Sequence, residues 1–414
     1  MPATARPGRP WITTMTRREP GEGHRPATGL ELLFDLTFVV AFAQAGDQMA
    51  HLVAEGHIGS ALTGFTFAMF AICWAWINFS WFASAFDTDD WFFRLTTMVQ
   101  MVGVLILALG LPAVFASIDH GEPLNNGVVV VGYVVMRVAM IAQWARVAVQ
   151  DPGHRREALG YIVTIGVAQI GWVVTAIVVP PFEGLLVTIA VLYAIELVGP
   201  ILAERKGAGT PWHPHHIAER YGLLVIIALG EGILGTIAAV AALIDHIGWS
   251  PEVVLVVIAG TGLTFGIWWT YFLVPSGEML AAHRSRSWAW GYGHIILFGS
   301  VAAIGAGLHV AAYVVEGEAT IGVLGAVLAS AIPVLVFTVA YFVIYSLLVR
   351  AVDPFHLLLL AGTVAVLVVA VALAAGGTSL GVSLLVVMAA PAVTIVGYEA
   401  IGHRHLAALL ERAD

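Results

Sequence analysis

From residue 29 onward the chain alternates long apolar runs with short polar breaks, and twelve such runs can be marked. They lie near 30–54, 60–86, 92–118, 126–149, 158–179, 183–203, 217–244, 251–274, 289–313, 319–348, 355–375 and 380–400. Each is about 20 residues or longer, which is what a helix needs to cross the hydrocarbon layer of a bilayer. The pattern predicts an all-α integral membrane protein of about twelve transmembrane helices. Residues 1–28 are rich in Pro, Gly and Arg and lack an apolar segment, so they read as a disordered cytoplasmic tail and not as a signal peptide. A second short cytoplasmic tail is expected over 403–414.

Composition supports the membrane reading. Apolar residues make up 59% and charged residues 11%, with a mean hydropathy of +0.91, against about 45–50% and about 25% in soluble domains. The single cysteine, Cys73, lies inside an apolar run, which leaves no disulfide framework and no cysteine-based metal knuckle. A formal charge of −9 without a clustered basic surface argues against nucleic acid as a partner.

Basic residues then fix an orientation. With the N-terminus in the cytoplasm, the cytoplasmic segments hold Arg6, Arg9, Arg17, Arg18, Arg25, Arg94, Arg146, Arg155, Arg156, Arg205, Lys206, Arg220, Arg284, Arg286, Arg350, Arg404 and Arg412. The opposite loops ("AEGHIGS", "SIDHGEPLNNG", "PPFEG", "IDHIGWSPE", "EGEAT", "AAGGTS") contain neither Lys nor Arg. Under the positive-inside rule this alternation predicts an even number of spans and both termini in the cytoplasm. Arg137 alone is left over, in the middle of span four.

The two halves resemble each other. "ELLFDLTFVVAFAQ" opening span one parallels "ERYGLLVIIALGEG" opening span seven, at an offset of about 188 residues. An offset of six spans predicts two parallel six-helix repeats, 29–209 and 210–402, as in some secondary transporters.

The stretches "ELLFDLTFVVAFAQ", "WINFSWFASAFDTDDWFFRL", "HHIAERYGLLVIIALGEGIL", "GIWWTYF" and "GYGHIILFGSVAAIGAG" resemble, in order and spacing, the bacterial low temperature requirement protein A family. The resemblance implies a multi-span membrane protein linked to growth in the cold, and does not define a biochemical activity. Directly after "GIWWTYF", where it implies an acidic residue, this chain has Leu273, Val274 and Pro275.

Mechanism therefore rests on ionisable groups within the spans, which are expensive in hydrocarbon and usually face a partner or a wet cavity. Arg137 is charged at any ordinary pH and lies roughly 16 Å of helix rise from either end of its span, so it needs an acid: Asp35, Glu196 or Glu231. Glu231 sits halfway along span seven among Gly230, Gly232 and Gly235, glycines that permit either close helix packing or a local break exposing backbone to a ligand. Gln44 falls within one position of Glu231 in the repeat alignment. Together with His294 these groups form the candidate substrate and proton site.

Other polar residues read as structural. Glu31 is expected to be solvated at the interface, and Asp35, one turn deeper, to pair with Arg94 or Arg220. In "FDTDDWFFR", Asp89 or Asp90 is expected to cap span three and Asp87 to pair with a basic loop. In "WHPHHIAER", His215 and Glu219, or His216 and Glu219, have the spacing to bridge a metal on a continuous helix, but Pro214 is expected to interrupt that helix, and a capping and interface role is preferred. No metal or other cofactor is expected.

There is no nucleophile elbow, no phosphate-binding glycine loop and no sustained zinc-ligand motif. The sequence reading is a proton-coupled secondary transporter of a small or amphipathic solute, surrounded by membrane lipids and compatible with a homodimer. Its rivals are an intramembrane enzyme acting on lipids, and a lipid-binding or sensor protein.

Overall fold

The computed structural model describes residues 11–15, 17–18, 25–178, 182–205, 207 and 209–405. Among these the chain is helical and contains no strand. In order the helices are α1 (Gly29–Ala54), α2 (Ile58–Phe86), α3 (Trp91–Asp119), α4 (Gly127–Gln150), α5 (Arg155–Val178), α6 (Phe182–Glu204), α7 (Pro214–Ile247), α8 (Pro251–Phe272), α9 (Ser276–Ala282), α10 (Ser287–Glu316), α11 (Val323–Val349), α12 (Pro354–Ala375) and α13 (Leu380–Gly397). Among the described residues they make up twelve spans that are long and apolar enough to cross a membrane, the short α9 continuing the eighth, Pro251–Ala282. These spans coincide with the twelve predicted runs.

Two differences concern α7. Pro214 does not interrupt it but opens it, as the first helical residue, where the missing N–H of proline leaves no bond unmade. The glycines around Glu231 do not break it either: α7 is continuous over 34 residues. Two of them, Gly232 and Gly235, serve close packing. A Cβ on Gly232 would lie 2.6 Å from Thr264 Oγ1, and a Cβ on Gly235 would collide with the Gly305 carbonyl of α10.

The chain divides into two compact units. One comprises the described residues of Met1–Thr37 and Ala75–Ile217. Within it α3 packs on α4, α4 on α5 and α5 on α6. The α3–α4 seam is glycine-lined: a Cβ on Gly103 would lie 2.7 Å from the Gly132 carbonyl, and one on Gly132 2.6 Å from Leu107 N. Small residues of this kind let helices approach where hydrophobic exclusion of water gives no driving force. Trp144 stacks on Tyr161 at 4.2 Å and meets Phe82 edge-on at 4.8 Å, fixing α4 against α5 and α2.

The other unit comprises the described residues of Phe38–Trp74 and Ala218–Asp414. Here α10 packs on α11, α8 on α13, and α12 on both α11 and α13. Gly307 and Ala329 mark the tightest point of the α10–α11 contact, where an added Cβ would lie 2.6 Å from the Ala329 carbonyl carbon.

Candidate functional site

In the first unit parts of three of the quoted motifs, around Glu31, Trp76 to Asp87, and His216, meet in a buried ionic cluster. Thr28 and Glu31 form a reciprocal capping box at the start of α1: the Glu31 N–H donates to Thr28 Oγ1 (3.2 Å) and the Thr28 N–H to Glu31 Oε2 (2.8 Å). The cap aims the second oxygen inward, and Glu31 Oε1 lies 3.1 Å from His216 Nε2 and 3.9 Å from Arg25 Nη2. Glu31 is fully buried, so the expectation of a solvated interfacial acid is corrected. One turn deeper, Asp35 Oδ1 accepts from the Trp76 indole at 2.6 Å. Arg25 reaches the end of α2, donating to the carbonyls of Ala83 (2.6 Å) and Ser84, and its Nη2 lies 3.9 Å from Asp87. A guanidinium over the carbonyl end of a helix satisfies acceptors that have no intrahelical partner.

His216 faces this cluster, whereas His215 and Glu219 are exposed. His216 is thereby turned away from Glu219, while His215 and Glu219 share an exposed face. His213 caps α7 instead, its Nδ1 accepting from His216 N at 3.3 Å. Arg220 is fully buried.

The acidic turn resolves into separate tasks. Asp90 is the N-cap of α3, accepting from Phe93 N at 3.0 Å, and is also gripped by Arg146 of α4. Asp89, at φ 49°, holds Arg94 through two bonds of 2.8 and 3.0 Å, so Arg94 is occupied here and not at Asp35. Asp87 faces Arg25 and Arg18. Burial first, and then the Glu31 charge, push Asp87 up from 3.8 to about 6, against the pull of Arg25, the Asp89 N–H and Arg18. Asp90 goes the other way, to about 2: burial opposes the shift, but the Arg146 bond and the N–H groups of Phe93 and Thr13 outweigh it. Parts of the stretch expected to be a tail make contacts as well: Thr13 N donates to Asp90, Met15 N to Gln150 Oε1 at 2.7 Å and Arg18 N to the Ala85 carbonyl at 3.1 Å. Residues 1–10, 16, 19–24, 206 and 406–414 lie outside the described residues.

Arg137 meets Glu196. Its Nη2 donates to Glu196 Oε2 at 3.0 Å, with both side chains buried, and the guanidinium lies 5.2 Å from the centre of the Tyr133 ring. This pair links α4 to α6 inside the first unit.

Glu231, Gln44 and His294 belong to the second unit. Glu231 is 2% exposed, and among the described residues it makes neither a hydrogen bond nor a salt bridge. It lies where α7 is pressed against Gly305 of α10, and its Oε2 would be 3.4 Å from a Cβ on Gly46 of α1. Gln44 is half-buried, on the side of α1 about 160° round from Gly46. His294 is boxed by aromatic rings, with Tyr221 at 4.9 Å and Trp290 at 4.1 Å. Its Nδ1 contacts the Trp290 carbonyl at 2.7 Å, and a carbonyl only accepts, so Nδ1 carries the hydrogen and Nε2 accepts from the Tyr271 hydroxyl at 3.1 Å. Both ring nitrogens are thus occupied.

The second unit also contains a cavity of about 640 Å³ between α1, α2, α10 and α11. Of its lining residues only Thr66 and Ser300 carry polar side chains; Met49, Phe65, Met69 and Ile332 typify the rest.

The sequence reading passed over Arg25, Glu31 and Trp76 as site residues. One signal for Glu31 was available: "TGLE", residues 28–31, has the capping-box spacing that turns a glutamate inward.

A family model for the bacterial low temperature requirement A protein (LtrA) matches residues 26–392. An uncharacterized protein of Rhizobium meliloti (strain 1021) is 26% identical over 289 residues, which cover 66% of this chain and 66% of that protein. The span therefore falls just short of two thirds of the relative's length.

Proposed function

This chain belongs to the bacterial low temperature requirement A family, and from that premise we propose that it is a proton-coupled secondary transporter of a small apolar or amphipathic solute. The observation that carries the reading is Glu231. An acid 2% exposed in the middle of a span, with no cation, hydrogen bond or salt bridge among the described residues, is too expensive to keep as an idle structural group. Exchange of a proton at its carboxyl is the chemistry such a position offers. Arg137 supplies the contrast: its charge is matched by Glu196 at 3.0 Å, which makes the pair a fixed helix staple and leaves the exchangeable proton to Glu231.

The apolar cavity supports a solute with hydrocarbon character, since its lining offers two hydroxyls and no charge and its volume falls in the range of ligand sites, about 300–1,000 Å³. The same cavity favours a second reading, a lipid-binding or sensor protein. The proposal retains two parallel six-helix repeats, for which the support is the sequence offset of about 188 residues, and an inner-membrane location, with cytoplasmic termini supported by the charge asymmetry of the loops.

The test is pH-gradient-driven accumulation of a panel of lipophilic amines and acids in proteoliposomes. Glu231→Gln is expected to abolish accumulation while the protein stays folded. Transport by Glu231→Gln at the wild-type rate and with unchanged proton coupling would overturn the proposal.

A further inference from the structure

A buried exchangeable carboxyl needs a way for protons to reach it, and the second unit carries a row of polar side chains that leads from Glu231 to one end of the bundle. On α1 and just past its end, Asp47, His51 and Glu55 follow at steps of four residues, which places them within about 80° of arc on a helix. On α10, Gly305 is pressed against Glu231, and His309, Tyr313 and Glu316 continue from it along one face at the same kind of spacing. The two rows meet. The His51 and Tyr313 rings are 6.1 Å apart, and Asp47 directly follows Gly46, whose Cβ position lies 3.4 Å from Glu231 Oε2. Further out, His51 Nε2 lies 3.5 Å from Glu55 Oε1, and His57 Nδ1 lies 3.8 Å from Glu55 Oε2.

Exposure rises along the row. Glu231 is buried, His309 and Tyr313 are half-buried, and Asp47, His51 and Glu55 are exposed. Asp47 is decisive here. It stands seven residues before Ala54, the last residue of α1, and hence about 10 Å below that end of the helix. An exposed carboxylate at that depth is costly in hydrocarbon, so the space it faces must hold water. The mouth is anchored: Thr320, in the loop after α10, donates to the Ala54 carbonyl through its N–H (2.8 Å) and its hydroxyl (3.1 Å).

We infer that Asp47, His309 and Tyr313, with His51 and Glu55 at the mouth, form a hydrated path by which protons reach Glu231 from the side of the membrane on which α1 ends. This rests on the carrier reading, because a path matters only when Glu231 exchanges its proton. Titratable groups facing the path come from each of its walls: Asp47, His51 and Glu55 from α1, Glu231 from α7, and His309, Tyr313 and Glu316 from α10.

The test is a pH jump on the full chain in lipid nanodiscs, followed by infrared spectroscopy on the carboxyl band that Glu231→Gln removes. Asp47→Asn and His309→Gln are expected to slow protonation of Glu231 about tenfold or more with the final amplitude unchanged; an unchanged rate in both would overturn the path. Side and wetness are read separately with a membrane-impermeant thiol reagent in a Cys73→Ser background. Asp47→Cys and His51→Cys should be modified from one side only, while Val40→Cys, exposed on the same face of the helix but seven residues deeper than Asp47, should resist. Protection of positions 47 and 51 equal to that of 40 would also overturn it. If the wild type shows no Glu231 band over its folded pH range, the carrier reading falls, and the thiol pattern alone then decides whether the wet path is there.

Discussion

Arg137 Nη2 and Glu196 Oε2 are 3.0 Å apart, with 3% and 4% of their side chains exposed. Two opposite charges buried together carry a desolvation penalty that their attraction roughly offsets, whereas either one left alone does not recover it. Arg137→Met is therefore expected to destabilise the protein by about 3–5 kcal/mol, and Glu196→Met by a similar amount. The double substitution should recover most of the loss. Thermal unfolding of the three variants in one detergent checks this; a double variant as unstable as the sum of the singles would show that the two charges are not coupled.

Gly305 sits where α10 crosses α7 at Glu231. A Cβ there would lie 2.5 Å from Glu231 Cβ and 2.7 Å from its carbonyl oxygen, and backbone cannot step aside as a flexible side chain can. Gly305→Ala should destabilise by about 1–3 kcal/mol. Gly230 has nothing within 4 Å of its Cβ position, so Gly230→Ala should be neutral or stabilise by up to about 1 kcal/mol. Equal effects at the two positions would contradict the close approach of α7 and α10.

Asp87 and Asp90 predict opposite slopes of stability with pH. Asp87 rises from 3.8 to about 6 on folding, so between those values the folded state binds more protons than the unfolded chain and stability falls as pH increases, levelling off above about 6. Asp90 is held at about 2, so its contribution is complete above 3.8 and is lost as pH falls toward 2. Unfolding midpoints measured across this range should decline from pH 4 to 6 in the wild type, and Asp87→Asn should flatten that decline. A wild-type midpoint that climbs through the same window would show that Asp87 is not the buried, crowded acid described here.

What was legible in the chain followed from its solvent. In hydrocarbon a span must be long, apolar and helical, and that constraint leaves so plain a mark that all twelve runs are found as helices. The short α9 was not legible, because seven residues following Pro275 at the end of the eighth span carry no length signal of their own. The cap of α3 was readable from local spacing as Asp89 or Asp90, and it is Asp90. The partner of Arg137 was narrowed to three acids and no further, since the choice among Asp35, Glu196 and Glu231 depends on which helices pack, and periodicity along one helix does not encode its neighbour. Glu31 misled for a related reason: its depth along α1 suggested the interface, while burial came from α7 and Arg25, which are remote in sequence.

The central claim is that Glu231 is an acid without a counter-charge and Glu196 an acid with one. Carbodiimides add to protonated carboxyl groups shielded from water and pass over carboxylates locked in ion pairs, so labelling of the membrane-embedded protein with dicyclohexylcarbodiimide, mapped by mass spectrometry, separates the two directly. The account predicts modification at Glu231, diminishing as pH is raised, and none at Glu196. Labelling of Glu196 in preference to Glu231, or of both to the same extent, would contradict it.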